Sequence, residues 1–213
     1  MFRKVAARTM VMLGLVSFSA PIFGDGGSYN LSMNGGSHLW LDGNSTLHKF
    51  ESVTSTFVVK TSTPAVRSPT IPDIDTLITL MSGNFVLDIP VQSLKNPGEG
   101  SVFDSSLWAD LRWKEDPDIL FSLTGATATP DPSVAGRYDI SAQGSVTVAG
   151  KKNPEVISAV LDMDDNTLRI TGTKDLLMTD FGIQPPAIFF GLLAAEDTIT
   201  VRWDLSLSFK PAD

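Results

Sequence analysis

Residues 199–209 alternate strictly. Ile199, Val201, Trp203, Leu205, Leu207 and Phe209 are apolar, while Thr200, Arg202, Asp204, Ser206 and Ser208 are polar. A period of two is that of a β-strand with one dry and one wet face. The pattern recurs in Phe85, Leu87 and Ile89, in Ile119, Phe121 and Leu123, and in Ile157, Ala159, Leu161 and Met163. It predicts strands near 29–33, 37–42, 53–61, 83–89, 119–124, 137–148, 155–163, 167–173 and 199–209, with a hairpin turning at Asp164-Asp165-Asn166. Two stretches depart from it. Residues 63–79 carry Pro64, Pro69 and Pro72 and read as an exposed loop. Residues 101–114 have helical spacing, with Phe103, Leu107 and Leu111 in one stripe and Trp108 adjacent. Ser101 is placed to cap that helix, Asp104 suits its first turn, Arg112 and Lys114 suit its far end, and Pro117 stops it. Many strands and one short helix predict an all-β sandwich or barrel.

The N-terminus follows another rule. Arg3, Lys4 and Arg8 precede an apolar run from Met10 to Ala20, then Pro21 and Gly24. Residues 1–24 therefore read as a secretory signal peptide, followed by one domain over 25–213. Removing those three cations from 16 leaves 13 basic against 24 acidic residues, a net charge of −11. Such a surface repels nucleic acid and anionic headgroups. Two tyrosines, four tryptophans and a non-aromatic C-terminus argue against a membrane barrel with aromatic girdles, so the dry strand faces are expected to turn inward. No integral membrane span is expected in the mature chain. Nothing in the pattern specifies an oligomeric state.

Candidate chemistry is sparse. The chain has no cysteine and two histidines, His38 and His48, which leaves no thiolate site and too few imidazoles for a histidine-rich metal centre unless carboxylates complete it. Asp162, Asp164 and Asp165 lack the glycine and terminal glutamate of a calcium loop and read as a solvated turn. There is no nucleophile elbow, zinc-protease motif or phosphate-binding glycine loop.

Four segments carry a family resemblance. They are Leu39-Trp40-Leu41-Asp42-Gly43-Asn44-Ser45-Thr46-Leu47-His48-Lys49-Phe50, Lys114-Glu115-Asp116-Pro117-Asp118-Ile119-Leu120-Phe121, Ser141 to Lys152 with Gly144-Ser145-Val146-Thr147-Val148-Ala149-Gly150, and Met178-Thr179-Asp180-Phe181-Gly182-Ile183-Gln184-Pro185-Pro186. In this order they resemble the motifs of the YceI-like family, in its exported branch. The resemblance implies an extended antiparallel, lipocalin-like β-barrel in the periplasm or secreted, in a family where some members hold a long isoprenoid or related lipid. The chain departs from the family at the proline-rich insertion and at Asn153-Pro154.

The expected partner is thus a hydrophobic small molecule, an isoprenoid- or fatty-acid-like lipid, and no other cofactor is called for. The expected cavity liners are Leu39, Leu41, Phe57, Phe85, Leu87, Phe121, Ile140, Val201, Trp203 and Leu205 on strands. Phe103, Leu107 and Trp108 are expected to close one end, and Phe181, Phe189 and Phe190 to form a greasy opening. His48 and Asp180 are the candidate polar contacts. Two alternatives stand beside this binding protein, which has no catalytic residues: a filled barrel acting in envelope stress or protein interaction, and a hydrolytic or isomerising enzyme using His48 with Asp180.

Overall fold

The computed structural model describes residues 28–61, 66–67, 72–98, 100–165, 167–188 and 193–211. The predicted signal segment 1–24, residues 63–65 and 68–71 of the proline-rich stretch, and Phe189 and Phe190 lie outside the described residues. The strands are β1 (Ser28–Met33), β2 (His38–Ser45), β3 (Lys49–Thr54), β4 (Val58–Thr61) and β5 (Val66–Arg67). Helix α1 (Ile74–Met81), β6 (Phe85–Pro90) and helix α2 (Ser101–Asp110) follow. Then come β7 (Asp118–Pro130), β8 (Arg137–Val148), β9 (Lys151–Asp164), β10 (Thr167–Leu177), β11 (Ala187–Ile188) and β12 (Leu193–Pro211). Short 3-10 turns occupy Val91–Ser93 and Met178–Phe181.

The result is an all-β, antiparallel, lipocalin-like barrel. Its main strand order is β3-β2-β12-β10-β9-β8-β7-β6-β4. The long β12 pairs with β10 along one edge, and its other edge takes β2 and then β1. The junction of β1 and β2 is pinned there. Asn34 N–H donates to the Ser206 carbonyl at 2.8 Å, and the buried Ser37 hydroxyl accepts the Ser206 N–H at 3.0 Å. The stretch from β3 to β5 crosses the seam of the barrel, with β3 on β2, β4 on β6 and β5 on β1. Val53 and Lys95 exchange two backbone hydrogen bonds, at 2.8 and 3.0 Å, which tie β3 to the chain beyond β6. The β8–β9 hairpin turns through Ala149 (φ 48°) and Gly150 (φ 75°), the paired positive angles of a type I′ turn.

Several local expectations need correction. The single strand expected over 53–61 is two strands, because the Thr54 hydroxyl accepts the Thr56 N–H at 3.0 Å and bends the chain. The expected loop contains α1. Its three prolines end at Pro72, and Asp73 then caps the helix by accepting the Thr76 N–H at 2.8 Å. The second helix begins at Ser101, with Gly100 in the capping position, so Ser101 is not the cap. Asp104 is buried and accepts the Asn96 N–H at 2.7 Å. Arg112 lies past the helix end with φ 56°, where it reaches Asp116 and the Ala149 carbonyl.

The two helices lie at opposite ends of the barrel. Leu77 of α1 packs with Leu161 and Leu168, beside the β9–β10 hairpin. The stripe of α2 lies against the end formed by the β2–β3 turn, with Phe103 and Phe50 rings 5.5 Å apart.

Candidate ligand-binding site

Every long strand sends its apolar face inward, and the faces do not meet. They enclose a cavity of about 590 Å³, within the roughly 300–1,000 Å³ of small-molecule sites. Leu39 and Leu41 of β2, Phe85 and Leu87 of β6, Phe121 of β7, Ile140 of β8, and Val201, Trp203 and Leu205 of β12 all line it. A bulge between Leu123 and Gly125 resets the phase of β7, so Ala126 continues the lining.

Two glycines keep the interior hollow. Gly172 is directly opposite Trp203, and Gly43 is directly opposite Phe50. A Cβ on Gly43 would fall 2.1 Å from Cζ of the Phe50 ring. Each aromatic ring therefore lies over a bare patch of its neighbouring strand. Larger residues there would push the rings toward the barrel axis.

The cavity has a sealed end and a mouth. Ile74, Leu77, Ile78 and Met81 of α1 form the sealed end, where Leu77 is 3% exposed. At the other end the lining includes Leu47, 67% exposed, and Leu177, 41% exposed, together with Thr46, His48 and Pro186. Helix α2 crosses this mouth with Phe103, Ser106, Leu107, Asp110 and Leu111 toward the cavity. Two polar clamps fix α2. Asp104 accepts the Asn96 N–H at 2.7 Å while the Asn96 side chain donates to the Glu51 carbonyl of β3 at 2.7 Å, and Trp108 Nε1 donates to the Leu94 carbonyl at 3.0 Å.

The structure places Phe103, Leu107 and Phe181 on the cavity lining and Trp108 and Phe57 off it. Trp108 is turned away by its bond to Leu94, with the Lys95 ammonium 3.8 Å above its ring. Phe57 sits in the bend between β3 and β4 and packs against the core. Of the polar candidates, His48 lines the mouth while Asp180 does not, so the pair proposed for catalysis does not share the cavity. The Asp180 backbone carbonyl accepts from Asn153 at 2.9 Å. Asp162 is held by the Arg137 guanidinium at 2.6 and 3.1 Å. Among the described residues no group of acidic or histidine side chains can hold a metal ion, and no helix is long and apolar enough to cross a membrane.

Sequence reasoning missed the α1 liners, Phe50, Ser106, Asp110 and Lys174. The signal for α1 was present: Ile74, Leu77, Ile78 and Met81 recur at helical spacing directly after an aspartate.

No protein-family model matches the chain, and comparison with curated proteins finds no relative. Solved structures do match. BcnA of Burkholderia cenocepacia superposes with a TM-score of 0.59 at 14% identity, covering 80% of this chain and 95% of that one. A polyisoprenoid binding domain from Saccharophagus degradans, implicated in plant cell wall breakdown, superposes with a TM-score of 0.59 at 12% identity, covering 86% and 99%. A Campylobacter jejuni YCEI protein aligns with a TM-score of 0.49 at 15% identity, covering 75% and 84%. The resemblance read from the motifs is thus met at the level of the fold: this chain shares the barrel of BcnA and of the Saccharophagus polyisoprenoid binding domain.

Proposed function

We propose that the protein is an exported carrier that holds one amphipathic lipid, with the apolar chain inside the barrel and the head at the α2 end. The observation that carries this reading is the hollow interior, walled by apolar side chains, sealed by α1 and open beside α2. Each CH₂ buried there contributes roughly 0.8 kcal/mol, so an isoprenoid or fatty chain binds with few polar contacts. The Saccharophagus domain of the same fold is described as binding polyisoprenoid, which supports a lipid of that kind here. The signal-like residues 1–24 and the acidic mature chain support export to the periplasm or beyond. In this reading no bond is made or broken.

Native mass spectrometry of protein purified from its own host tests the proposal. A bound lipid is expected, removable by organic extraction and replaceable by an added isoprenoid or fatty ligand. A barrel that is empty from the host and takes up neither class overturns it.

A further inference from the structure

We propose that Asp110 selects the head group: the bound lipid ends in a hydrogen-bond donor, a hydroxyl or an amine, and not in a carboxylate or a phosphate. This inference rests on the carrier reading and adds the chemistry of the head.

The argument begins with α2. Phe103, Ser106, Leu107, Asp110 and Leu111 fall at i, i+3, i+4, i+7 and i+8, the spacing of one helix face, and all five line the cavity. Asp110 is therefore on the stripe that looks into the barrel. It is accessible from the mouth, yet burial by the surrounding protein pushes its carboxyl above the ordinary range, and no charged neighbour contributes to that shift. Among the described residues it forms no ion pair. In the empty protein the exposed carboxylate keeps water, and a head group docking at the mouth displaces that water. A head that donates a hydrogen bond replaces what is lost, and an anionic head adds like-charge repulsion.

Lys174 is the cation of the lining, and it is already committed. Its Nζ lies 2.9 Å from Glu155 Oε2 and donates to the Val156 carbonyl at 3.2 Å. An anionic head arriving at the mouth must compete with Glu155 for that ammonium while facing Asp110. Electrostatics across the rest of the chain point the same way, since acidic residues outnumber basic ones by 24 to 16.

Four probes with one sixteen-carbon chain separate the heads: hexadecanol, hexadecylamine, hexadecanoate and hexadecyl phosphate. Binding to the delipidated protein is read from tryptophan emission and by calorimetry. The alcohol and the amine are expected to bind at least tenfold more tightly than either anion. Asp110→Asn is expected to keep the alcohol within a few-fold, weaken the amine tenfold and improve both anions. Asp110→Lys is expected to invert the order in favour of the anions, and thermal melting confirms that each variant is folded. Weakening of either donor in Asp110→Asn, the amine alone or both, supports the inference and shows whether the carboxylate acts through charge or also through the hydroxyl's hydrogen bond. Equal binding of all four heads, or a preference unchanged in Asp110→Asn, overturns this inference and leaves the carrier reading standing. Failure of every probe to bind overturns both.

Discussion

The indole of Trp203 on β12 lies over Gly172 on β10, so close that a Cβ at Gly172 would fall 2.3 Å from the ring carbon Cζ2. The same Cβ would meet the Ser158 carbonyl of β9 at 3.0 Å. The methyl group cannot move into the sheet, so it must drive the indole toward the barrel axis. Gly172→Ala is expected to cost about 1–3 kcal/mol, as overpacking does, and to reduce lipid capacity. Urea unfolding and ligand titration check the two parts separately.

Trp203 also serves as a reporter. The described tryptophans are Trp40, Trp108, Trp113 and Trp203, and only Trp203 lines the cavity. Lipid binding is expected to shift or quench emission in the native protein. In Trp203→Phe the same titration should be nearly silent while calorimetry still records binding.

Leu77 is the plug of the sealed end. It is 3% exposed and packs on Leu161 and Leu168. Leu77→Ala is expected to destabilise the protein by about 2–5 kcal/mol, which for a chain of this size lowers Tm by roughly 2–4 °C per kcal/mol. If α1 closes the cavity as described, the variant should also accept longer chains than the native protein. Calorimetric scanning and a ligand-length series measure these effects.

Two opposite pH dependences are built into the barrel. Asp42, Asp162 and Asp204 are held below the ordinary carboxylate range, chiefly by hydrogen bonds from Arg202, Arg137 and Arg169. A lowered folded value gives stability that is present above about pH 4 and lost as pH falls further. The Arg202–Asp42 pair joins β12 to β2 on the outer face, with one contact at 2.9 Å. Its coupling in a double-mutant cycle is expected near 0.2–1 kcal/mol, as for solvated pairs, and should vanish in acid.

Asp110 has the reverse sign. Burial raises its folded value, so its effect on stability is absent at low pH and becomes a penalty as pH rises through that value. Asp110→Asn is expected to be more stable than the native, lipid-free protein at neutral pH, with the advantage disappearing below about pH 4. Urea midpoints across that range, for both proteins without lipid, test it.

Much of the barrel was legible because its strands obey one rule. The 199–209 alternation is that of β12, and the inward set Val201, Trp203 and Leu205 lines the cavity as the period requires. The same strand starts earlier, at Leu193, and was not seen there because a register shift between Ala195 and Ile199 breaks the alternation. Helix α1 was hidden by the prolines upstream of it. They interrupt any long strand over 63–72, where the two-residue β5 forms against β1, but say nothing about Asp73 onward, where the cap begins. Trp108 was misplaced because it follows Leu107, and neighbours on a helix point roughly 100° apart. The indole's destination depended on the Leu94 carbonyl, a partner that no local spacing reveals. Asp110 escaped notice for a related reason: a carboxylate at the end of an amphipathic stripe reads as solvated until the wall opposite it is known.

The placement of β12 has a consequence for how the chain is made. Residues 29–33 pair with residues 207–211, so the first strand of the barrel waits for the last. A ribosome delivers the two ends at opposite moments of synthesis. Until the final strand emerges, both β2 and β10 present open edges, and the hollow does not exist. Contacts this remote in sequence form slowly. In the proposed carrier reading, a ligand therefore enters a finished vessel; it cannot be wrapped as the polypeptide grows.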